Sequence, residues 1–503
     1  MKKIILSTSV IATMAIAGGD LGGITNFEQS DATMSEIEAL KERIGALEAQ
    51  KAQAKDIKKD DSSSKKITDL EKKVKRLNKK LNKVRAHDAF DNIKLSADLR
   101  TGGDAIEYKM ADGSKVKNND LFSNRLWINM AYNPSDNLIF TAQLGYNKAY
   151  GADWNGRGQG YDSVDWITNE ALTNDTIKLR KAFWLYMGDD FLGTNIPWTA
   201  SLGRRPSTTG FLANFREDDK AQSPLGHNVD LEFDGGSMLF KLGKLTGVSG
   251  MSFKVCAGQG ATNASPRFSN TGTDYANDST ALEDTRLAGF IFVPYDDGTI
   301  KVMTNGLKAF NLPGMTMNAN GIMQQNFSTK GDEIGGVVSV LVDGLDELLG
   351  AEDSDFLADT KVFASYAYSQ TDPDNGQTML GSTDKESGSS IWFGTQMPVM
   401  GGQLGLEYNK GSKYWRSFTY GEDTMIGSKI ATRGTAIEAY YTHKLTKALS
   451  AQIRYTKIDY DYTGSNGFFG DGGTPMKISD AKSAGLNPVE SAQDIRAYIR
   501  YRF

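Results

Sequence analysis

Arginine returns at alternating positions along the last segment of the chain, as Arg496, Arg500 and Arg502, and Arg454 has a similar setting one segment earlier. A guanidinium stays charged and presents a fork of N–H donors, so its chemistry is contact with anions and water rather than bond cleavage. Arg100, Arg125, Lys178, Arg180 and Arg205 fit the same description nearer the start. Negative charge is concentrated in Glu217-Asp218-Asp219, with Lys220 beside it. Hydrolytic chemistry is poorly supplied. The three histidines, His87, His227 and His443, are scattered, and none belongs to the His-Glu-x-x-His spacing of a zinc peptidase. Gly156-Arg157-Gly158-Gln159-Gly160 opens no strand–helix unit, and Asp372-Pro373-Asp374-Asn375-Gly376 lacks the full spacing of a calcium loop. Cys256 is the single cysteine, which excludes an internal disulfide and a cysteine metal cluster. These residues predict no catalytic group, no metal and no cofactor.

Composition bounds the elements that must position such charges. The chain has 503 residues, 57 Lys and Arg against 62 Asp and Glu, 53 Gly and 39% apolar residues. Beyond the opening segment no apolar run approaches the ~18 residues of a membrane helix, which excludes a helical membrane protein. Abundant glycine and 10% aromatics suit many strands joined by turns. Met1-Lys2-Lys3, the apolar run from Ile4 to Met14 and Ala15-Ile16-Ala17 read as a secretory signal peptide over 1–17. The mature chain is then expected to start near Gly18, outside the cytoplasm, with 18–32 as a linker.

Charge divides the remainder. Residues 33–88 hold 16 Lys and Arg against 10 Asp and Glu, a net of +6, whereas 89–503 carries −10. Ile37, Leu40, Ile44 and Leu47, then Ile67, Leu70, Val74, Leu77, Leu81 and Val84, step by three and four, the seam of a coiled coil. Thr33 and Glu36 form a capping box, and Asp60-Asp61-Ser62-Ser63-Ser64 breaks the register. Such a narrow seam needs a partner, in an antiparallel hairpin or between copies of the chain. Self-association is the preferred reading, and the basic surface would also suit a cell-wall polymer. The expected element is a periplasmic coiled coil over 33–88.

After Asp91 the period becomes two. Leu126, Ile128, Met130 and Tyr132 share one face, and Arg125, Trp127, Asn129 and Ala131 the other. Leu138 to Tyr146, Ile437 to Leu445 and Leu449 to Tyr455 repeat the rhythm across short turns. Each arm is about the ~10 residues of a tilted strand crossing a bilayer. Long polar stretches alternate with the short turns: 101–120, 147–173, 206–227, 258–283, 371–388, 411–433 and 463–493. That asymmetry predicts an all-β transmembrane antiparallel barrel over 89–503, of 16 strands with 18 as the alternative, wide enough for an aqueous lumen. Closure would bring first and last strands together, so Arg100, Arg125, Arg180, Arg205, Arg454, Arg496 and Arg500 would line one basic wall of the pore. Tyr132, Tyr146, Tyr441, Tyr501 and Phe503 suit an interfacial girdle, and Trp154 and Trp166 lie in a long loop.

In the last segment Ile495, Ala497, Ile499, Tyr501 and Phe503 occupy one face. Here the chain resembles Gram-negative outer-membrane porins, in which such a C-terminal strand ending in Phe is read by the barrel-insertion machinery. The resemblance thus marks Ile499, Tyr501 and Phe503 as an insertion signal. Gly203-Arg204-Arg205-Pro206-Ser207-Thr208-Thr209-Gly210 is similar to a segment of an uncharacterised porin-like family from Campylobacter-type bacteria, which also places a coiled coil before the barrel. The porin resemblance implies a trimer in outer-membrane lipid. It also implies a third outer loop, 206–227, folded inward so that Glu217, Asp218 and Asp219 face Arg205, Arg454, Arg496 and Arg500 across a constriction. The function expected is passive diffusion of small hydrophilic solutes or ions, without enzymatic activity and without nucleic acid. The alternatives are a barrel-anchored adhesin or envelope tether using the coiled coil, and a barrel hydrolase using His227.

Overall fold

Alternation of apolar and polar residues, carried through segment after segment, leaves each strand with one face for lipid and one for the interior. A computed structural model of the chain describes Lys73 and residues 93–503, apart from 152–175, 207–209, 266, 269, 278–281, 318–322, 352–353 and 420–423. The expected signal peptide (1–17), linker (18–32) and coiled coil (33–88), with His87, Trp154, Trp166 and Gly156 to Gly160, lie outside the described residues.

The strands run as β1 (Lys94–Met110), β2 (Lys115–Ser135), β3 (Leu138–Ala149), β4 (Lys178–Gly188), β5 (Trp198–Pro206), β6 (Gly210–Phe211), β7 (Gln222–Leu225), β8 (Glu232–Lys241) and β9 (Ser252–Ala261). They continue as β10 (Thr285–Asp296), β11 (Ile300–Met317), β12 (Met323–Asp343), β13 (Lys361–Pro373), β14 (Ser387–Val399), β15 (Gly402–Gly411), β16 (Gly434–Lys444), β17 (Leu449–Tyr460) and β18 (Val489–Arg502). Sixteen of them form one closed antiparallel barrel; β6 and β7 pair separately. β18 closes onto β1, with Arg500 opposite Arg100 and Arg496 opposite Asp104. Closure leaves no strand edge unpaired in a lipid environment.

Strand β13 shows the two faces plainly: Val362, Tyr366 and Tyr368 are exposed, while Phe363, Ser365, Ala367 and Ser369 are buried. Around the wall Leu99, Phe140, Trp184, Leu202, Val255, Phe290, Val340, Ile391, Leu406, Ile437 and Ile453 continue the exposed apolar surface. Outward apolar and inward polar residues are the polarity of a membrane barrel and the reverse of a soluble one.

One rim carries short connections. Met400-Gly401 turns with both residues at positive φ, the backbone of a two-residue hairpin. At 297–299 the Asp297 carboxylate accepts the N–H groups of Ile300 and Thr299 at 2.7 and 3.0 Å. The opposite rim carries most of the long connections. There the expected polar loop 101–120 is instead a hairpin: β1 and β2 pair up to a turn at 111–114. Its polar sequence is held in strand form by the ladder and by Lys115 and Lys117, both on the Glu107 carboxylate. Likewise 463–493 stops being loop at Val489, where β18 begins.

Two of the long connections do not remain outside. Segments 210–231, 412–419 and 424–433 fold into the barrel, where Phe211, Leu212, Leu225, Trp415 and Ile430 pack against Met303, Val337, Phe363 and Trp392 of the wall. The two connections are stitched to each other by backbone bonds, Phe418 N–H to Asn228 O at 3.0 Å and Asp230 N–H to Phe418 O at 2.5 Å. Gly388 and Gly411 make room for this insertion, since a Cβ on either would strike Trp415.

Candidate functional site

From Gly210 the chain turns through a short 3-10 helix, Ala213–Phe215, entered from Leu212 at φ 81°. Its tip is held from the wall by side-chain amides: Gln396 Nε2 donates to Phe215 O at 3.1 Å and Gln452 Nε2 to Arg216 O at 2.7 Å. Phe211 and Leu212 pack against β11 to β13, and the tip reaches β14, β17, β18 and β1, delivering Glu217-Asp218-Asp219 next to the short-turn rim.

There the acidic run meets arginine directly. Glu217 Oε1 lies 3.2 Å from Arg454 Nη1 and 2.9 Å from Arg216 Nε, and Oε2 lies 3.5 Å from Arg100 Nη1. Asp219 Oδ1 lies 3.1 Å from Arg500 Nη2 and 3.2 Å from Arg502 Nη2. Arg500 also donates to the Asp98 carboxylate and, through Nη1, to Glu217 O at 2.5 Å. Asp218 is more exposed and reaches Lys444 at 3.5 Å. Glu217 is only 5% exposed. These are contact ion pairs that bind loop to wall, not charges opposed across an open gap.

Two expected members of the constriction have other partners. Arg496 Nε binds Asp104 Oδ1 at 2.5 Å. Arg205 lies with its guanidinium carbon 4.8 Å from the centre of the Phe183 ring, and its Nη1 is 3.5 Å from Ser237 Oγ. The reason is positional, because β5 follows β1 only after β2, β3 and β4 around the wall. Between them Trp127 is sandwiched by Arg125 and Arg180, whose guanidinium carbons lie 3.6 and 4.1 Å from its ring centre. Arg180 further donates to Gln143 Oε1 at 2.5 Å.

The expected basic wall is a mixed one. Asp98, Asp104, Glu407, Glu438 and Asp494 are buried among the cations. Lys429 joins Glu407 at 2.6 Å and also contacts Glu438, while Arg216 Nη1 lies 3.5 Å from Glu438. These carboxylates had a readable signal, since Asp98 and Asp104 share parity with Arg100, and Glu438 interrupts an apolar alternation. Burial of charge is tolerated where it is paired, and the network pairs most of these groups, although Glu407 Oε1 and Asp494 Oδ1 are buried without a hydrogen-bond partner among the described residues.

Away from the clasp the lumen keeps free space. A cavity of about 450 Å³ is lined by Lys181, Phe183, Arg205, Gln222, Ser223 and Lys254, with further hydroxyls from Ser201, Ser237 and Ser252. It follows β4, β5 and β9, from Arg205 toward Thr199 beside the short-turn rim.

His227, the one histidine with serine partners among the described residues, is closed off. Its Nδ1 is 2.8 Å from Ser365 Oγ and its Nε2 2.9 Å from Ser390 Oγ, and the residue is 0% exposed. Trp392 and Trp415 pack edge-on against the imidazole. A serine nucleophile must meet its substrate, and neither hydroxyl does so here. His443 sits with Tyr441, ring centres 6.3 Å apart, at the short-turn rim. Among the described residues no group of three or more His, Cys, Asp or Glu could hold a metal.

Residues 115–503 match the model of a family described as a protein of unknown function, DUF3373. The chain belongs to that family. No curated protein matches it. Solved structures similar to it include OmpT, an outer membrane protein of Vibrio cholerae, at 12% identity and a TM-score of 0.42, with 82% of this chain and 97% of that one covered. The trimer form of OmpT gives 12% identity and a TM-score of 0.42, covering 82% and 99%. A mutant porin of Rh. blastica gives 11% identity and a TM-score of 0.38, covering 82% and 100%.

Proposed function

We propose that this chain is an outer-membrane channel for passive diffusion of small hydrophilic solutes or ions. The observation that supports the reading is the pairing of an exposed apolar outer wall with an interior of charge and hydroxyl groups that still holds an unfilled cavity of about 450 Å³. A barrel serving only as an anchor has no use for such a cavity. The loop clasp at Glu217 and Asp219 narrows the lumen from one side and leaves solutes the β4–β11 side. A fixed-charge lumen of this kind admits permeants by size and charge.

The remaining parts fit around the barrel. Residues 1–17 direct export, 33–88 form a periplasmic coiled coil that joins copies into a trimer, and 89–503 sit in outer-membrane lipid after insertion by the barrel-insertion machinery. No step requires a cofactor or an energy source. Liposomes containing the purified chain test the reading: isotonic arabinose should enter and swell them, while a large dextran should not. Folded protein that leaves liposomes impermeable to arabinose overturns it.

A further inference from the structure

We infer that the lumen cavity beside the loop is a binding subsite for small solutes bearing a doubly charged oxyanion, held by Lys181, Arg205 and Lys254. The inference deepens the channel reading and rests on it. The cavity wall carries many donors. Lys181 and Phe183 come from β4, Thr199, Ser201 and Arg205 from β5, and Ser252 and Lys254 from β9, with Gln222 and Ser223 contributed by the inserted loop.

Among the described residues no carboxylate comes within ion-pair distance of Lys181, Arg205 or Lys254. This sets them apart from the arginines of β1, β17 and β18, which spend their charge on Asp98, Asp104 and Glu217. Lys254 Nζ has only a hydroxyl, Ser223 Oγ at 2.7 Å. Arg205 Nη1 makes one long contact with Ser237, while its Nε and Nη2 are buried from solvent and have no hydrogen-bond partner among the described residues. Asp219 acts on Lys181 only as a more distant charge, its oxygens being held by Arg500 and Arg502. Lys301, the fourth cation on the cavity, is compensated by Asp296 at 2.9 Å.

Arg205 adds its fixed charge to the cavity wall without a carboxylate to neutralise it. Two ammonium groups and several hydroxyls on the same cavity supply donors for the anion's oxygens. The pocket walls are partly apolar, through Phe183, Leu185, Ile291 and Val293, which reduces screening of the three charges. Chloride can use the charge but, as a single atom, not the several ammonium and hydroxyl donors at once. A singly charged ion therefore gains less here than hydrogenphosphate or succinate does.

Binding and conductance are read separately on the full-length protein. Calorimetry in detergent should detect hydrogenphosphate and succinate binding at concentrations where chloride shows none. In planar bilayers the same two anions should reduce the chloride current, and a KCl gradient should give an anion-selective reversal potential. The double variant R205Q/K254Q should weaken phosphate binding about tenfold or more, and K254E should turn the selectivity toward cations. K308Q, removing a rim lysine paired with Asp332, should change neither. Retained heat-modifiable gel mobility identifies the variants that fold. A conducting pore that binds phosphate no better than chloride, or binds it equally well in R205Q/K254Q, overturns the subsite and leaves the channel standing. Phosphate binding in a barrel that conducts nothing keeps the subsite and removes the channel.

Discussion

Arg454 on β17 places Nη1 3.2 Å from Oε1 of Glu217 on the inserted loop, although the two residues are 237 positions apart in the chain. The same carboxylate is shared with Arg100 of β1 and with Arg216 beside it. One buried acid thus ties the loop to two barrel strands and neutralises part of a guanidinium cluster that has little access to water.

Replacing Glu217 by Gln should free the loop and leave Arg100 and Arg454 under-compensated. Breaking a buried pair from one side costs ~3–5 kcal/mol. Urea unfolding in detergent should show that loss, and single-channel records should become noisier as the loop moves. A stable variant with quiet wild-type current would contradict the clasp.

Trp127 supplies a π face to two guanidinium groups at once. W127A should destabilise the barrel by ~3–5 kcal/mol, whereas W127F, which keeps an aromatic face, should recover a large part of this. Unfolding midpoints of the two variants measure the difference.

His227 has a structural role between Ser365 and Ser390. H227A should leave buried hydroxyls less well satisfied, at ~1–3 kcal/mol. Neither the parent protein nor the variant should hydrolyse lipid esters or peptides in standard assays. Hydrolysis lost with H227A would restore the enzyme reading.

Asp297 gives a pH effect at the rim, outside the membrane-crossing strands. The Ile300 N–H above all, then the Tyr295 hydroxyl, hold its carboxyl below the usual value of 3.8. A lowered folded value means the turn gains stability above the unfolded value and loses it as pH falls through the folded one. Amide exchange at Thr299 and Ile300, once corrected for intrinsic rates, should therefore show weaker protection at acid pH, and D297N should lose that pH dependence.

Much of the barrel was legible because lipid imposes an alternation that water-soluble sheets need not keep on this side. Leu126 to Tyr132 and Ile495 to Phe503 announced strands through that rule alone. The inward parity of Arg100, Arg454, Arg496 and Arg500 followed from it. Less was legible where the chain leaves regular register. At β4 the pairing skips Arg180, with Gln143 opposite Lys181 and Leu144 opposite Leu179, so both cations turn inward. Such a bulge has no signature in residue spacing. The polar spacing of 411–433 gives no sign that 412–419 and 424–433 turn inward, although Trp415, Phe418, Ile426 and Ile430 are too apolar for a solvated outer loop. The compensating acids Asp98, Asp104 and Glu438 keep the inward parity of the arginines beside them, so alternation places them on the lumen face too.

The proposed channel runs through the cavity along β4, β5 and β9, and a thiol placed there reports on it directly. With Cys256 replaced by Ala, a K254C barrel in a planar bilayer should conduct in discrete steps. A bulky charged methanethiosulfonate should then reduce each step, and reducing agent should restore it. Folded barrels that pass no current, or a current indifferent to modification at position 254, would contradict the account.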